Sequence, residues 1–391
     1  MPTLDAEVLV IGGGSTGTGV ARDAAMRGFR TVLVERYGIS DGTTRRYHGL
    51  LHSGGRYVVS DPEAARECIQ ENRILRRILP HGLDDTGGFF VLAPGDDPAF
   101  VARFLAAARE CGLPVEEVPP AQALKEEPAL NPRIEHCFWV ADGVGYGYVA
   151  TSATARSAAD HGATILPHLA VVELIIENSG VRGAVCRNER GETVTITSDV
   201  TVNASGPLAG KIAALAGIDL PLVPGKGTMV SVDHIPLRTV LNRCRYPTDG
   251  DIIVPKRGEA IVGTTDIQID DPDQYGVTGA EIEQMLQAGE ALLPGYSVSP
   301  TLRAWAGVRP LFPATGGVSE GHPRSVTRTH ALLDHAHRDG VGNLITITGG
   351  KWTTHRLMAE QTVDLVCRKM GVSRPCRTHL EVVTDEMFES R

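Results

Sequence analysis

The sequence predicts an α/β chain, α+β overall, in which a discontinuous parallel-sheet domain carries an inserted antiparallel-sheet domain. A strand–helix–strand unit spans residues 7–36, two further strand-to-turn-to-helix junctions lie at residues 200–215 and 344–360, and strands without helical crossovers lie between them. Alternation of strands and helices is typical of a parallel sheet, and successive strands are typical of an antiparallel one. We place the first domain at residues 1–85, 146–222 and 303–391, and the second at residues 86–145 and 223–302.

The opening unit consists of the strand "EVLVIG", the small-residue helix "STGTGVARDAAMRGF" and the strand "TVLVER". Both strands are continuous apolar runs, which is typical of strands buried on both faces. An amphipathic helix follows, with Asp61-Pro62 as its start signal and Pro80 as its stop signal. "GGFFVLAPG" then predicts a strand, and "DPAFVARFLAAAREC" predicts a helix that Gly112 ends.

The second half of the chain begins with a helix from Tyr148 that stops at Gly162. A hairpin follows, turning at residues 178–180, and "ETVTITSDVTVNASG" predicts a strand that leads into a short helix. Residues 223–303 predict three strands and one helix. The chain ends with the strands "LRAWAGVRPLF" and "NLITITGG" and a long helix from Thr353.

Composition excludes several classes of protein. A net charge of -9 argues against a nucleic-acid binder. The first apolar run leads directly into a glycine loop, so it predicts a core strand rather than a signal peptide. No stretch approaches the ~18 apolar residues of a spanning helix. The seven cysteines lack CxxC spacing, which argues against a disulfide framework or a metal centre. We therefore expect a cytoplasmic protein without a metal.

The first chemical motif is the glycine loop at the end of the first strand. In Gly12-x-Gly14-x-x-Gly17, the first glycine permits a tight turn, the second permits close approach of a pyrophosphate, and the third permits helix–strand packing. Glu35 ends the second strand, where a carboxylate binds a ribose 2′-hydroxyl and disfavours a 2′-phosphate. These features predict a dinucleotide cofactor other than NADP.

The two later junctions favour FAD over NAD. Ala204 and Gly206 lie in the junction "TVNASGPLAGKIA", and Gly349 and Gly350 lie in the closing "ITGGKWTTHRLMAE". FAD is long, so its adenosine end and its isoalloxazine end need segments that are far apart. A helix N-terminus near Thr353 would stabilise negative charge on the reduced flavin.

Two stretches are expected to bind an anion. Residues 43–72 place a Gly-Gly turn among His48, His52, Arg45, Arg46 and Arg56. Histidine serves as a base near neutral pH, and guanidinium groups bind phosphate or carboxylate. Arg309 lies mid-strand among apolar residues, where a buried charge needs a partner. Either a structural carboxylate or an anionic substrate would serve.

These stretches together resemble the FAD-dependent glycerol-3-phosphate dehydrogenases, and within them the large catalytic subunit of the anaerobic bacterial enzyme. The resemblance is carried by "GGGSTGTGVARDAAMRGFRTVLVER", "HGLLHSGGRYVVSDPEAARECIQEN", "AIVGTTD", "AGVRPL" and "ITITGGKWTTHRLMAE". It implies a Rossmann-like FAD-binding domain of the glutathione-reductase/D-amino-acid-oxidase type with an inserted antiparallel substrate domain.

The resemblance also implies roles for individual residues. The expected cofactor-binding residues are Gly12, Gly14, Gly17, Glu35, Arg36, Thr43, Thr44, Ala204, Gly206, Gly349, Gly350, Lys351 and Thr353. His52 would remove the C2 hydroxyl proton, and Arg56 and Arg309 would bind the substrate phosphate. Thr265 would line the same pocket, and Lys351 would neutralise developing charge. The catalytic set is then His52, Arg309 and Lys351, and the product is dihydroxyacetone phosphate.

The sequence departs from this family in four places. One is the loop "FPATGGVSEGHPRS", most of which lies outside the residues that the structure describes. His355 replaces the usual tyrosine, and Trp352 is bulkier than usual; both are expected near the substrate. The family's large subunit continues into a cysteine-rich domain that carries electrons onward, whereas this sequence ends at Arg391. The acceptor is therefore open between a partner electron-transfer subunit and a quinone. Formation of a homodimer and peripheral association with the inner face of the cell membrane are also left open.

Two other functions compete with this interpretation. The same cationic residues could bind a non-phosphorylated 2-hydroxy acid or amino acid. Alternatively, the chain could be a flavin subunit that is active only within a larger complex. A nucleic-acid-modifying flavoprotein is disfavoured by the acidic charge balance.

Overall fold

The computed structural model describes residues 3–233, 235–313 and 329–384. Within these residues, the strands in chain order are β1 Thr3–Ile11, β2 Thr31–Val34, β3 Leu50–Leu51, β4 Leu83–Asp84, β5 Gly88–Leu92, β6 Glu116–Glu117, β7 His136–Val140, β8 Gly143–Gly145, β9 Thr164–Leu166, β10 Ala170–Glu177, β11 Gly180–Arg187, β12 Thr193–Asn203, β13 Val223–Val232, β14 Val240–Arg243, β15 Ile252–Lys256, β16 Glu259–Gly263, β17 Ile267–Gln268, β18 Thr301–Leu311, β19 His330–Asp334 and β20 Leu344–Gly349. The α-helices are α1 Ser15–Met26, α2 Thr43–Arg46, α3 Pro62–Ile78, α4 Ala99–Cys111, α5 Pro120–Glu126, α6 Gly147–Asp160, α7 Ala209–Ala214, α8 Gly279–Glu290, α9 His335–Arg338 and α10 His355–Lys369.

The long strand β12 organises the first sheet. One edge of β12 pairs in parallel with β1 from Thr3 to Ile11. Its other edge pairs first with β11, through residues 193–197, and then with β20, through residues 201–203. β2 and β9 extend the parallel part beyond β1, and β10 and β19 add antiparallel edges. The predicted α/β class is confirmed, and the carboxyl ends of β1, β12 and β20 meet at one edge of the sheet.

Apolar side chains cover both faces of this sheet, because alternate residues of a strand point to opposite sides. On one face, Val8 and Val10 pack with residues of α1 and α10. On the other face, Leu9 and Ile11 pack with residues of α7 and of the β10–β11 hairpin. Burial on both faces explains why β1 is a continuous apolar run in the sequence.

The second sheet is mostly antiparallel and contains β5–β7 and β13–β18. One edge of β13 pairs with β16 and β17, and its other edge pairs with β18 along ten residues. β14 pairs in parallel with β5, which joins segments that are far apart in the sequence. A small third sheet contains β3, β4 and β8. The predicted domain bounds stay a prediction.

Local signals in the sequence agree with the helix and turn positions. The side chain of Asp61 accepts a hydrogen bond from the amide of Ala64 at 3.1 Å, which caps α3. Gly112 ends α4 in the left-handed conformation, and the hairpin turns at Asn178 and Ser179. The last helix begins at His355 rather than Thr353, because residues 352–354 form a 3-10 turn. The short helices α2 and α5 and the strand β7 had no prediction.

No helix within the described ranges is long and apolar enough to cross a membrane. This agrees with the absence of a long apolar run in the sequence.

A buried ion pair links the last helix to α3. The guanidinium of Arg356 donates two hydrogen bonds to the carboxylate of Glu71, at 2.8 and 2.6 Å, and both side chains are nearly inaccessible to solvent. Arg356 also donates to Glu360. The pair fixes α10, and with it the chain segment that leads into α10, against the rest of the molecule.

We expect Arg356→Ala to lower the free energy of unfolding by ~3–5 kcal/mol, because it leaves the Glu71 carboxylate buried without its partner. The control is Arg30→Ala, since Arg30 forms an exposed pair with Asp5 and should change stability by ~1 kcal/mol or less. Urea unfolding of both variants measures the difference. Equal midpoint shifts would contradict a structural role for the buried pair.

Candidate active site

A cavity of about 1230 Å³ opens where β1, β12 and β20 end. This volume exceeds the ~300–1,000 Å³ that is common for small-molecule sites, so it has room for a long cofactor and a substrate together. The predicted site residues that line it are Gly12, Gly14, Glu35, Arg36, Thr43, Thr44, His52, Arg56, Ala204, Gly206, Arg309, Gly349, Gly350 and Lys351. Gly17, Thr265 and Thr353 do not line it.

The glycine loop after β1 has the shape of a phosphate-binding turn. Gly12 has φ +115°, and a Cβ there would lie 2.6 Å from the carbonyl oxygen of Ala204. A Cβ on Gly17 would lie 1.9 Å from the carbonyl oxygen of Gly12. The protein itself therefore demands glycine at both positions. At Gly14 a Cβ would meet only the hydroxyl of Thr44, at 3.3 Å, so the space beside Gly14 fits a ligand group.

The acidic residue that follows β2, which we expect to bind a ribose, lines the cavity. The two carboxylate oxygens of Glu35 accept hydrogen bonds from the amides of Gly13, at 2.7 Å, and Tyr37, at 2.9 Å. Each oxygen can accept a second hydrogen bond, so the carboxylate fits hydroxyl donors from the cavity. The neighbouring Arg36 forms an ion pair with Asp273 at 2.6 Å. The Thr44 hydroxyl accepts from the amide of Ser15 at 3.1 Å, at the start of α1.

The second glycine junction brings Lys351 to the cavity. Gly349 and Gly350 have φ +78° and +67°, and a Cβ on Gly350 would lie 2.5 Å from the sulfur of Met358. The chain therefore turns sharply between β20 and α10. The ammonium of Lys351 lies 4.8 Å from the ring centroid of Tyr57, within the range of a cation–π contact.

His52 lines the cavity and is held there through its backbone. Its amide donates to the hydroxyl of Thr353 at 3.0 Å, and its carbonyl accepts from the side chain of Asn72 at 3.1 Å. Its ring centroid lies 5.2 Å from that of Tyr57. Thr353 is fully buried. The hydroxyl of Thr353 therefore positions the backbone of His52, and a role of Thr353 in cofactor binding stays a prediction.

Both predicted anion-binding arginines have buried carboxylate partners. Arg56 donates to Asp251 at 3.2 Å, and Asp251 also pairs with Arg245 at 2.7 Å. Arg309 pairs with the buried Asp266 and donates to the hydroxyl of Thr264 at 2.8 Å. The sequence left two possible partners open for Arg309, and one of them, a structural carboxylate, is present. Both guanidinium groups still line the cavity.

Thr265, which was expected to line the substrate pocket, is not among the residues that line this cavity. Its side chain is fully buried, and its hydroxyl accepts a hydrogen bond from the amide of Thr228 at 2.9 Å. The adjacent Thr264 lines the cavity instead. Neighbouring residues of an extended segment point in opposite directions, so the motif alone did not decide which threonine faces the ligand.

The two departures near the C-terminus have different surroundings. Trp352 lines the cavity and stacks on Tyr47 with the ring centroids 5.7 Å apart. His355 does not line the cavity: it is buried against α1, and its Nδ1 lies 2.7 Å from the carbonyl oxygen of Trp352. Burial is the main cause that lowers the pKa of His355 to about 4; the Trp352 hydrogen bond opposes it, and the charges of Arg356 and Arg22 add to it.

The cavity also contains residues that had no predicted role, among them Met229, Tyr246, Tyr275, Asp273 and His48. The first four come from loops and strands of the inserted segments, and no sequence motif marks them. His48 lies within the stretch that suggested an anion site. Its position close to His52 in the sequence was therefore the signal that could have marked it as a site residue.

A group of potential metal ligands lies away from the cavity. Ligand atoms of Glu360, Cys376 and His379 lie within 4.8 Å of one another. Glu360 is already paired with Arg356, and burial raises the pKa of the Cys376 thiol. These features disfavour a cation, because the carboxylate is neutralised and the thiol keeps its proton.

Comparison with known proteins gives a consistent result. The family described as DAO, FAD dependent oxidoreductase, matches residues 7–365. The chain is 46% identical over 375 residues to the A subunit of the anaerobic glycerol-3-phosphate dehydrogenase of Escherichia coli (strain K12), which covers 95% of this chain and 69% of that protein. It is 44% identical over 381 residues to the A1 subunit of the enzyme of the same name from Haloferax volcanii, with 95% and 65% covered.

Solved structures share the fold. The glycerol-3-phosphate dehydrogenase from Bacillus halodurans complexed with FAD has a TM-score of 0.75 at 26% identity, covering 96% of this chain and 67% of that one. The L-alpha-glycerophosphate oxidase from Mycoplasma pneumoniae with FAD bound has a TM-score of 0.76 at 18% identity, covering 96% and 97%. Glycine oxidase from Geobacillus kaustophilus has a TM-score of 0.74 at 21% identity, covering 98% and 99%. The last two likenesses concern the fold alone.

We expect Gly14→Val to fold and to lose bound FAD, because its side chain would fill the ligand space beside the loop. Gly17→Val should instead impair folding, since a Cβ there collides with the protein backbone. The ratio of flavin to protein absorbance, with the urea midpoint, separates the two effects. A Gly14→Val protein purified with full FAD would contradict the assignment of the loop.

We expect His355→Asn to flatten the dependence of stability on pH. The pKa of a histidine is about 6.5 in the unfolded chain, whereas that of folded His355 is about 4. Below about pH 6.5 the unfolded state binds a proton that the folded state does not, so the free energy of unfolding falls as the pH falls. Between about pH 7.5 and about pH 5, wild type should lose about 2 kcal/mol more than the variant.

Urea unfolding at both pH values measures this difference. His136→Asn is the control, because His136 is a partly exposed histidine on β7, outside the cavity. An equal loss of stability in wild type and His355→Asn would show that His355 does not stay neutral when buried.

Proposed function

Because the chain belongs to the family of FAD-dependent oxidoreductases, and groups there with the A subunits of anaerobic glycerol-3-phosphate dehydrogenases, we propose that it oxidises sn-glycerol 3-phosphate to dihydroxyacetone phosphate. The proposal is supported by a cavity that has a dinucleotide loop at Gly12–Gly14 and His52, Arg56, Arg309 and Lys351 among its other lining residues. A cofactor and an anionic substrate would thus meet in one space.

His52 is the proposed base. Its unprotonated imidazole nitrogen would take the proton from the C2 hydroxyl, and the contacts of its backbone with Thr353 and Asn72 hold the ring in place. The chemistry that FAD supplies when bound is acceptance of the hydride from C2 as the C2 carbonyl forms. Loss of one proton and one hydride balances the conversion of the alcohol to the ketone.

The cationic residues would bind and orient the substrate. Arg56 and Arg309 present guanidinium N–H donors, whose planar geometry suits phosphate oxygens. Asp251 and Asp266 fix these side chains before a ligand arrives, which lowers the entropic cost of binding. Lys351 would stabilise negative charge that develops during the reaction.

A second candidate substrate is a non-phosphorylated 2-hydroxy acid or amino acid. The specific observation in its favour is that each arginine already has a carboxylate partner. The net positive charge left for a ligand is therefore small, and a carboxylate monoanion would suit it as well as a phosphate dianion.

We further propose that the electrons leave through a partner electron-transfer subunit or a quinone. The relatives are named as one subunit of their enzyme, which supports a larger assembly. This chain spans about two thirds of their length. In this proposal the chain is cytoplasmic and binds peripherally at the inner face of the membrane.

The deciding experiment is an anaerobic titration of the FAD-loaded chain. Addition of sn-glycerol 3-phosphate should bleach the flavin band at ~450 nm. If a 2-hydroxy acid or an amino acid bleaches it instead, the second candidate replaces the first. Steady-state turnover with a soluble dye tests the assembly: rapid turnover by the isolated chain would contradict a flavin subunit that works only in a complex.

We expect His52→Ala to retain FAD but to slow flavin reduction ~10²–10⁴-fold, because a positioned base is lost. Rapid mixing with sn-glycerol 3-phosphate under anaerobic conditions measures the rate. His136→Ala, outside the cavity, should reduce its flavin at the wild-type rate. Reduction of the His52→Ala flavin within a few-fold of wild type would exclude His52 as the base.

A further inference from the structure

The cavity contains a second histidine, which the proposed mechanism does not use. His48 lines the cavity between α2 and β3, half-buried, four residues before His52. Its Nδ1 lies 3.0 Å from the amide nitrogen of Leu50. An amide N–H can only donate, so this contact requires an unprotonated Nδ1. The proton of the neutral ring is then on Nε2.

The ring of His48 lies among cationic groups from two strands and the loop between β3 and α3. Burial, together with the charges of Arg56, Lys256 and Arg309, lowers the pKa of His48 to about 3. Lys256 is the last residue of β15, and Arg309 is on β18. At neutral pH the imidazole is therefore a neutral hydrogen-bond donor and a poor base. This separates its chemistry from that proposed for His52.

The donor edge of the ring lies beside the chain segment that contacts Arg309, one of the arginines that we propose bind phosphate. A Cβ built on Gly263 would lie 3.6 Å from Cδ2 of His48, the atom bonded to Nε2. The next residue, Thr264, lines the cavity and accepts a hydrogen bond from Arg309 at 2.8 Å. Within the described part of the chain, Nε2 makes no hydrogen bond, so its N–H is available to a ligand.

We propose that His48 is a substrate-binding residue whose Nε2–H donates a hydrogen bond to the phosphate of the substrate, beside Arg56 and Arg309. This inference rests on the proposed function, because it assumes a phosphorylated substrate. A neutral donor adds a hydrogen bond without adding charge. With Arg56 and Arg309 already paired to carboxylates, it favours an anion that has several acceptor oxygens, which a phosphate offers and a carboxylate offers less fully.

Two substitutions separate the donor from the structural hydrogen bond. The side chain of asparagine reaches the position of Nδ1, so His48→Asn keeps an acceptor for the Leu50 amide and removes the Nε2 donor. The side chain of glutamine reaches the position of Nε2, so His48→Gln keeps an N–H donor there. His136→Asn again serves as the control on an unrelated strand.

The test measures the binding of inorganic phosphate to the FAD-loaded chain. The change in the flavin absorption spectrum reports the binding. His48→Asn should raise the dissociation constant of phosphate roughly 10- to 100-fold, as expected for loss of a hydrogen bond to a charged group. His48→Gln should stay within about three-fold of wild type. If His48→Asn does not load FAD, His48→Gln still decides, since a tenfold or larger loss there would contradict the proposal.

Failure of this inference can be told apart from failure of the proposed function. Suppose that phosphate binding depends on His48 but sn-glycerol 3-phosphate does not bleach the flavin. This result would support the role of His48 as a donor and overturn the proposed substrate. Conversely, sn-glycerol 3-phosphate could bleach the flavin while His48→Asn leaves the phosphate affinity unchanged. This result would support the proposed substrate and overturn the role of His48 as a donor. Undetectable phosphate binding by wild type also overturns the donor. An altered reduction potential of the flavin in His48→Asn, with unaltered phosphate affinity, would also overturn the proposed role of His48, because its N–H would then face the cofactor.

Discussion

The site depends on the way β12 shares its edges. β1 occupies one edge over its whole length, and β11 and β20 divide the other. As a result, the parallel strands β1, β12 and β20 end side by side, and the loops that follow them open into one cavity. Ligands bind outside the carboxyl ends of strands in open α/β sheets. Residues near positions 12, 204 and 350 become neighbours through this pairing alone.

Close contact between these loops constrains their side chains. The oxygen of Ala204 approaches Gly12, and the oxygen of Gly12 approaches Gly17, so neither glycine can carry a Cβ without a backbone shift. Gly350 is similarly confined by Met358. Gly14 differs, since the space beside it is open to the cavity. The same residue type therefore serves packing at three positions and ligand access at the fourth.

The second sheet supplies much of the electrostatics of the cavity. Arg309 lies on β18, Asp251 immediately precedes β15, and Lys256 is the last residue of β15. Arg56 and Arg309 are each held by a carboxylate that solvent barely reaches. Such pairs fix guanidinium groups in one orientation but leave little net charge. Binding of an anion then relies on directed hydrogen bonds more than on charge, which is the setting in which a neutral histidine is useful.

The sequence by itself determined the α/β class, the glycine loop, Glu35 and the second glycine junction, because each depends on local backbone geometry or on an apolar run. It also marked Asp61 and Gly112 as helix ends for the same reason. Only the tertiary structure decided that Thr264 rather than Thr265 lines the cavity, that Thr353 holds His52, and that His355 is buried away from the cavity. It also decided that Arg56 and Arg309 have carboxylate partners, Asp251 and Asp266, which are distant from them in the sequence. Side-chain direction and long-range pairing follow from the packing of strands that the sequence does not place together, so no local pattern contains them.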